Sequence, residues 1–214
     1  DACLAAHERL QSAGAPACKC APLFPVAAPQ TDFGWRPTMT LAGKDFDQVK
    51  ALIDRGIASD GSGPTGTGYL LSTSDKARNV RSAFYPEIIK ELGEQVVLEI
   101  VKGDELKNKD DVLFYFTGLP KVTGIESNRF QPGAIADHLT STGGVLTGGR
   151  QMSVLRWLDA GATGSYGTVV EPCAFPQKFP HPGIVMQRYL GGETLIEAYW
   201  KSVAMPGQGI FVGE

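Results

Sequence analysis

Residues 112–116 read Val-Leu-Phe-Tyr-Phe, five large apolar side chains with no polar residue between them. A strand with one wet face alternates apolar and polar side chains. An unbroken apolar run instead needs cover on both faces, as in a parallel sheet between two helical layers. The short apolar run at 69–71 and the segment 96–101, apolar but for Glu99, read as further strands, and segments with helical spacing lie between the runs. Such alternation requires crossover connections that lay helices over the sheet. The fold expected is therefore α/β, a mostly parallel sheet with helices on both faces.

The other elements follow from local chemistry. Residues 39–41 are a short strand candidate. Asp45 stands where a helix N-cap belongs, with Phe46, Val49, Leu52 and Ile53 as a buried stripe and Gly56 as the stop. Ser74 or Asp75 caps the next helix, whose stripe is Ala77, Val80 and Phe84. Pro86 kinks that helix or starts another, which ends at Gly93. Strands are expected at 133–139, 162–166 and 209–212, and helices at 151–159, 183–190 and 193–203. The length, 214 residues, suits one domain over 37–214. Residues 1–36, dense in proline and cysteine, read as an irregular arm. The abrupt start at Asp1 suggests that the arm continues from a missing N-terminal portion and packs on it.

A formal net charge of -3, with no basic run, argues against a nucleic-acid partner. No stretch approaches the roughly 20 apolar residues of a membrane span. Cys3, Cys18 and Cys20 crowd the arm. With only His7 nearby they do not form a metal set, and they read as a disulfide partnership or as reduced thiols. No cofactor motif is present.

In sheets of this kind ligands sit beyond the carboxyl ends of the strands. Three candidates lie there. Asp137 and His138 end the 133–139 strand, and a strand-end histidine is a potential general base. As neighbours on a strand they point to opposite faces, so the alternative is a structural histidine. Cys173, in the loop after the 162–166 strand, is a potential nucleophile with His138 or His181 as its base and Asp137 or Glu171 as orienting carboxylate. The bland alternative is a buried or disulfide-bonded cysteine. The segment 143–149, with glycines at 143, 144, 148 and 149, follows a strand and precedes an expected helix, so its amides could hold an anion or nucleotide. It lacks both the phosphate-loop and dinucleotide signatures.

Several long segments carry a resemblance: RPTM at 36–39, ADHLTS at 136–141, GATGSYGTVVEPC at 161–173 and TLIEAYWKSVAMPGQG at 194–209. From Arg36 onward the chain resembles an uncharacterised bacterial family of unknown function. Its members are usually longer at the N-terminus and often appear exported, which implies an exported, periplasmic location. The order of elements from 112 to 167 is also distantly similar to caspase-like peptidases of the gingipain type. The fold implied is caspase-like, with a flavodoxin-like order as the alternative. Those enzymes place His-Gly after one central strand and Cys after the next. Here Thr117-Gly118 and the cysteine-free 140–144 segment stand at those places. The resemblance thus implies a binding or non-catalytic protein on a caspase-like scaffold. The alternatives are a hydrolase using Cys173 with His138 or His181, and an anion or nucleotide binder at 143–149.

Overall fold

The computed structural model describes residues 36–170 and 175–214. The expected arm, with Cys3, Cys18 and Cys20, lies outside them except for Arg36, and so does Cys173. Helix α1 (Phe46–Ser59) starts at Asp45, whose carboxylate accepts a hydrogen bond from the Gln48 amide at 2.9 Å. It runs through the expected stop at Gly56. Leu52 and Gly56 face the core, whereas Phe46, expected on the buried stripe, is 79% exposed.

Strand β1 (Thr67–Ser72) leads to a 3₁₀ turn, Asn79–Phe84, and then to helix α2 (Tyr85–Leu92). Pro86 sits in the first turn of α2, where its missing N–H costs nothing. Next come β2 (Val97–Lys102), β3 (Val112–Thr117) and β4 (Phe130–His138). The expected 151–159 helix is only one turn long, α3 (Leu155–Asp159). It precedes β5 (Gly164–Thr168), α4 (Pro182–Leu190), α5 (Leu195–Ser202) and β6 (Gly209–Gly213). A capping box opens α5: the Thr194 hydroxyl accepts from the Glu197 amide, and Glu197 reaches back to the Thr194 N–H.

The six strands form one sheet in the order β2-β1-β3-β4-β5-β6. Neighbours are parallel except β5 and β6, which are antiparallel. The 39–41 strand is reduced to a single bridge from Thr40 to Val212. The first five strands thus have the 2-1-3-4-5 order of a doubly wound sheet, whose switch point lies between β1 and β3.

Side-chain alternation along the strands builds two cores. Tyr69, Leu71, Tyr115, Ala134 and Ala136 face Leu52 of α1 and Trp157 of α3. Leu70, Phe114, Phe116 and Ile135 face the opposite way, onto Tyr85, Ile88, Val185, Met186 and Tyr199 of α2, α4 and α5. All six residues of β3 are buried, as its continuous apolar run requires. Each large apolar side chain so enclosed contributes roughly 1.5–3 kcal/mol. Among the described residues no helix is long and apolar enough to cross a membrane.

Candidate functional site

At the carboxyl ends of β1, β3 and β4 hydrogen bonds join the described segments closely. The Thr73 hydroxyl donates to the Gly118 carbonyl at 2.9 Å, and Arg78 Nε donates to Thr140 Oγ1 at 3.2 Å. The Leu139 amide donates to the Thr117 carbonyl at 2.9 Å. A methyl group on Gly118 would collide with the Arg78 carbonyl, and one on Gly144 with the Gly167 carbonyl. These glycines serve close approach of two chain segments. Thr117, Thr140, Gly143 and Gly144 are all buried.

The two residues that end β4 diverge as strand alternation requires. His138 points toward α3. Its Nδ1 accepts from Trp157 Nε1 at 2.9 Å and its Nε2 lies 3.0 Å from the Met152 carbonyl. An indole N–H can only donate, so Nδ1 is the bare nitrogen and Nε2 carries the proton. Burial pushes the imidazole pKa down to about 4, against the Met152 carbonyl, which favours the charged form; the Arg81 charge lowers it further. His138 is therefore a neutral ring with both nitrogens committed inside the protein.

Asp137 points to the other face, where its carboxylate meets Arg81 Nη1 at 2.6 Å. Burial pushes the Asp137 carboxyl up, and Arg81 opposes that shift. Arg81 Nη2 donates to the Thr117 carbonyl at 2.6 Å, and the guanidinium lies 5.5 Å from the centre of the Phe116 ring. Arg81 thus ties the 3₁₀ turn to β3 and β4 from a buried position, 4% exposed. Its Nε–H is buried and has no acceptor among the described residues.

Sequence reasoning missed Arg81 because it placed Val80 and Phe84 on the buried stripe. The 3₁₀ geometry inverts that face: Val80 is 38% and Phe84 43% exposed. The usable signal was the α2 stripe of Tyr85, Ile88 and Leu92. Extended back by one turn, it lands on Arg81.

Arg81 forms part of the wall of a cleft of about 440 Å³ on the α4–α5 side of the sheet. Val80, Phe84, Phe179 and Ile184 give it an apolar surface, with His181 and Lys201 as its other titratable groups. His181 caps α4, its Nδ1 accepting from the Ile184 amide at 3.4 Å, and its ring lies 4.7 Å from that of Phe84. Burial, helped by the Arg81 charge, lowers the His181 pKa and keeps the ring neutral at pH 7. The structure therefore sets His138 and His181 apart: one is enclosed beside Trp157, the other faces the cleft.

Two of the seven amides of the 143–149 segment are committed inside the protein. Gly144 N–H donates to the Thr168 carbonyl at 2.9 Å and Val145 N–H to the Thr142 carbonyl at 3.1 Å. The helix that follows has five residues and starts only at Leu155, too short and too distant to supply an aligned dipole. A larger recess, about 740 Å³, lies at the opposite end of the sheet beside the 60–64 loop, away from the strand ends where ligands usually sit. Among the described residues no three His, Cys, Asp or Glu side chains converge to hold a metal ion. Comparison with family models, with curated proteins and with solved structures finds no match to this chain.

Proposed function

We propose that this chain is a binding protein on a caspase-like scaffold, and that its ligand occupies the cleft walled by Val80, Phe84, Phe179 and Ile184. The observation that carries this reading is the close packing of the described segments at the carboxyl ends of the strands. Among the described residues, hydrogen bonds and close glycine contacts draw the segments together where a peptidase of this type places its nucleophile and base. Thr117-Gly118 and the 140–144 segment, which correspond to the peptidase His-Gly and Cys, carry no imidazole or thiol. The chain order β3, β4, α3, β5 is the order on which the resemblance rests. The cleft is concave, mostly apolar and has a few polar groups on its wall, as small-molecule sites do.

A thermal-shift screen of neutral apolar fragments tests the reading. Stabilising fragments are expected to lose their effect in Ala204→Trp, which fills the cleft, and the protein is expected to turn over no peptide or ester substrate. Fragments that act equally on both proteins, or a complete lack of stabilising fragments, would remove the reading.

One observation favours a second reading, a cysteine-dependent hydrolase. His181 is neutral at the cleft wall, and Cys173 precedes it by only eight positions in the chain. An activated Cys173 would react with iodoacetamide at pH 6, and Cys173→Ser would abolish that reaction. A thiol that reacts only near its ordinary pKa, about 8.5, excludes it.

A further inference from the structure

We infer that this chain pairs with a second copy of itself along the free edge of β2, in an antiparallel contact whose two-fold axis passes Ile100. The inference is independent of the cleft. β2 closes one end of the sheet, and among the described residues no strand lies against its outer side. The other end is occupied: the Thr40 amide donates to the Phe211 carbonyl, and the Thr40 carbonyl accepts from the Gly213 amide, along the outer side of β6. Edge strands are usually guarded by a proline, a bulge or a charge, because open backbone groups recruit other strands. β2 has no proline, and its register with β1 runs unbroken from Val97 to Lys102. Val97 is 61% and Ile100 38% exposed. Glu99, in the middle of the strand, is already drawn to Lys109 at 3.3 Å.

Backbone geometry and charge select the second copy and its register. The Gly103 amide donates to the Ser72 carbonyl, and a parallel ladder uses alternate residues of an edge strand. Val97, Glu99 and Val101 are therefore the residues bonded to β1, and the N–H and C=O groups of Leu98, Ile100 and Lys102 point outward. An axis at Ile100 sets Ile100 opposite Ile100 and Leu98 opposite Lys102. Each such pair exchanges two hydrogen bonds, so every outward group of these three residues finds a partner. Glu99 then faces Val101, and the apolar stem of Lys102 lies along Leu98. An axis at Glu99 would set two carboxylates directly opposite each other, which is destabilising. An axis at Leu98 would set Ile100 and Lys102 opposite residues that precede the strand. Because the outer side of β6 is occupied, the contact joins like edges and closes at two copies instead of growing into a filament.

Sedimentation equilibrium combined with amide hydrogen exchange on the full chain tests the inference. An edge contact is small, so the dimer is expected to form in the micromolar range and the runs should reach about 200 μM. At the dimer end of that range the amides of Leu98, Ile100 and Lys102 should exchange slowly, and at the monomer end quickly. Those of Val97, Glu99 and Val101, held by β1, should stay slow at both. Ile100→Pro removes an outward N–H and leaves the bonds to β1 in place; it should raise the dissociation constant by about tenfold or more. Ile100→Lys sets two ammonium groups on the axis and should do the same, which keeps the test open if the proline variant fails to fold. A chain that stays monomeric throughout overturns the inference. So does a dimer in which Leu98, Ile100 and Lys102 exchange quickly, or one that folded Ile100→Pro or Ile100→Lys leaves as tight as before.

Discussion

Removal of the Asp137 carboxylate would strand the Arg81 guanidinium in a site that is 4% exposed. An unpaired buried charge costs about 3–5 kcal/mol, and Asp137→Ala is expected to lose stability on that scale. Replacement of both partners, Arg81→Met with Asp137→Leu, should recover most of the loss, because the desolvation cost of both ions disappears with them. Urea unfolding of the three proteins gives the comparison; a double variant as weak as Asp137→Ala would contradict it. His138 makes a separate, pH-dependent contribution. Its imidazole titrates near 4 in the fold and near the ordinary 6.5 in the unfolded chain. Between those values the unfolded chain binds more protons, so stability rises with pH. The contribution, on the order of 3 kcal/mol, is complete above pH 6.5 and is lost as pH falls toward 4. Asp137 has its carboxyl pushed up, so protonation there favours the fold and partly offsets the loss. His138→Gln should therefore be weaker than the parent protein at pH 7.5 and show a flatter stability profile down to pH 4.5. Parallel profiles would exclude the assignment.

At the scale of elements, the close contacts behind the strand ends are the feature most open to attack. In Gly118→Ala the added methyl meets the Arg78 carbonyl, which is backbone and cannot swing aside. A loss of about 1–3 kcal/mol is expected, the usual cost of overpacking. A neutral effect in urea unfolding would mean that the crevice is looser than described. Which elements could be read in the sequence follows from the physics of each. The continuous run of β3 and the Asp45 cap of α1 are local signals, and both stand where they were expected. Strand β4 starts three residues before its expected position because Pro132 and Gly133 look like breakers. Gly133, at φ +79°, packs against Ser59 and Tyr189, a contact that no local pattern encodes. Helix α3 is shorter than its apolar spacing suggested, since the Gln151 side chain turns back to accept from Thr142 instead of joining a helical turn.

Across the whole molecule, the sequence carried the layers and left the assembly open. Alternating strands and helices imply a covered parallel sheet. They do not specify that β1 lies between β2 and β3, or that β6 runs against β5. Those choices belong to long-range pairing, and they decide where a cavity can exist. The candidate residues show the same division. Strand parity anticipated that Asp137 and His138 part company, whereas the enclosure of His138 by Trp157 depends on residues 19 positions apart. The cleft was invisible because its walls come from three separate segments, around positions 80, 180 and 202. The central claim is that ligand recognition has moved from the strand ends to this cleft. The most direct test is a map of backbone amide chemical shifts as a stabilising neutral apolar fragment is titrated in. Changes are predicted to cluster at Val80, Arg81, Phe84, Phe179, Ile184 and Lys201. Changes centred on Thr117, Gly118, Thr140 and Gly144 would contradict it.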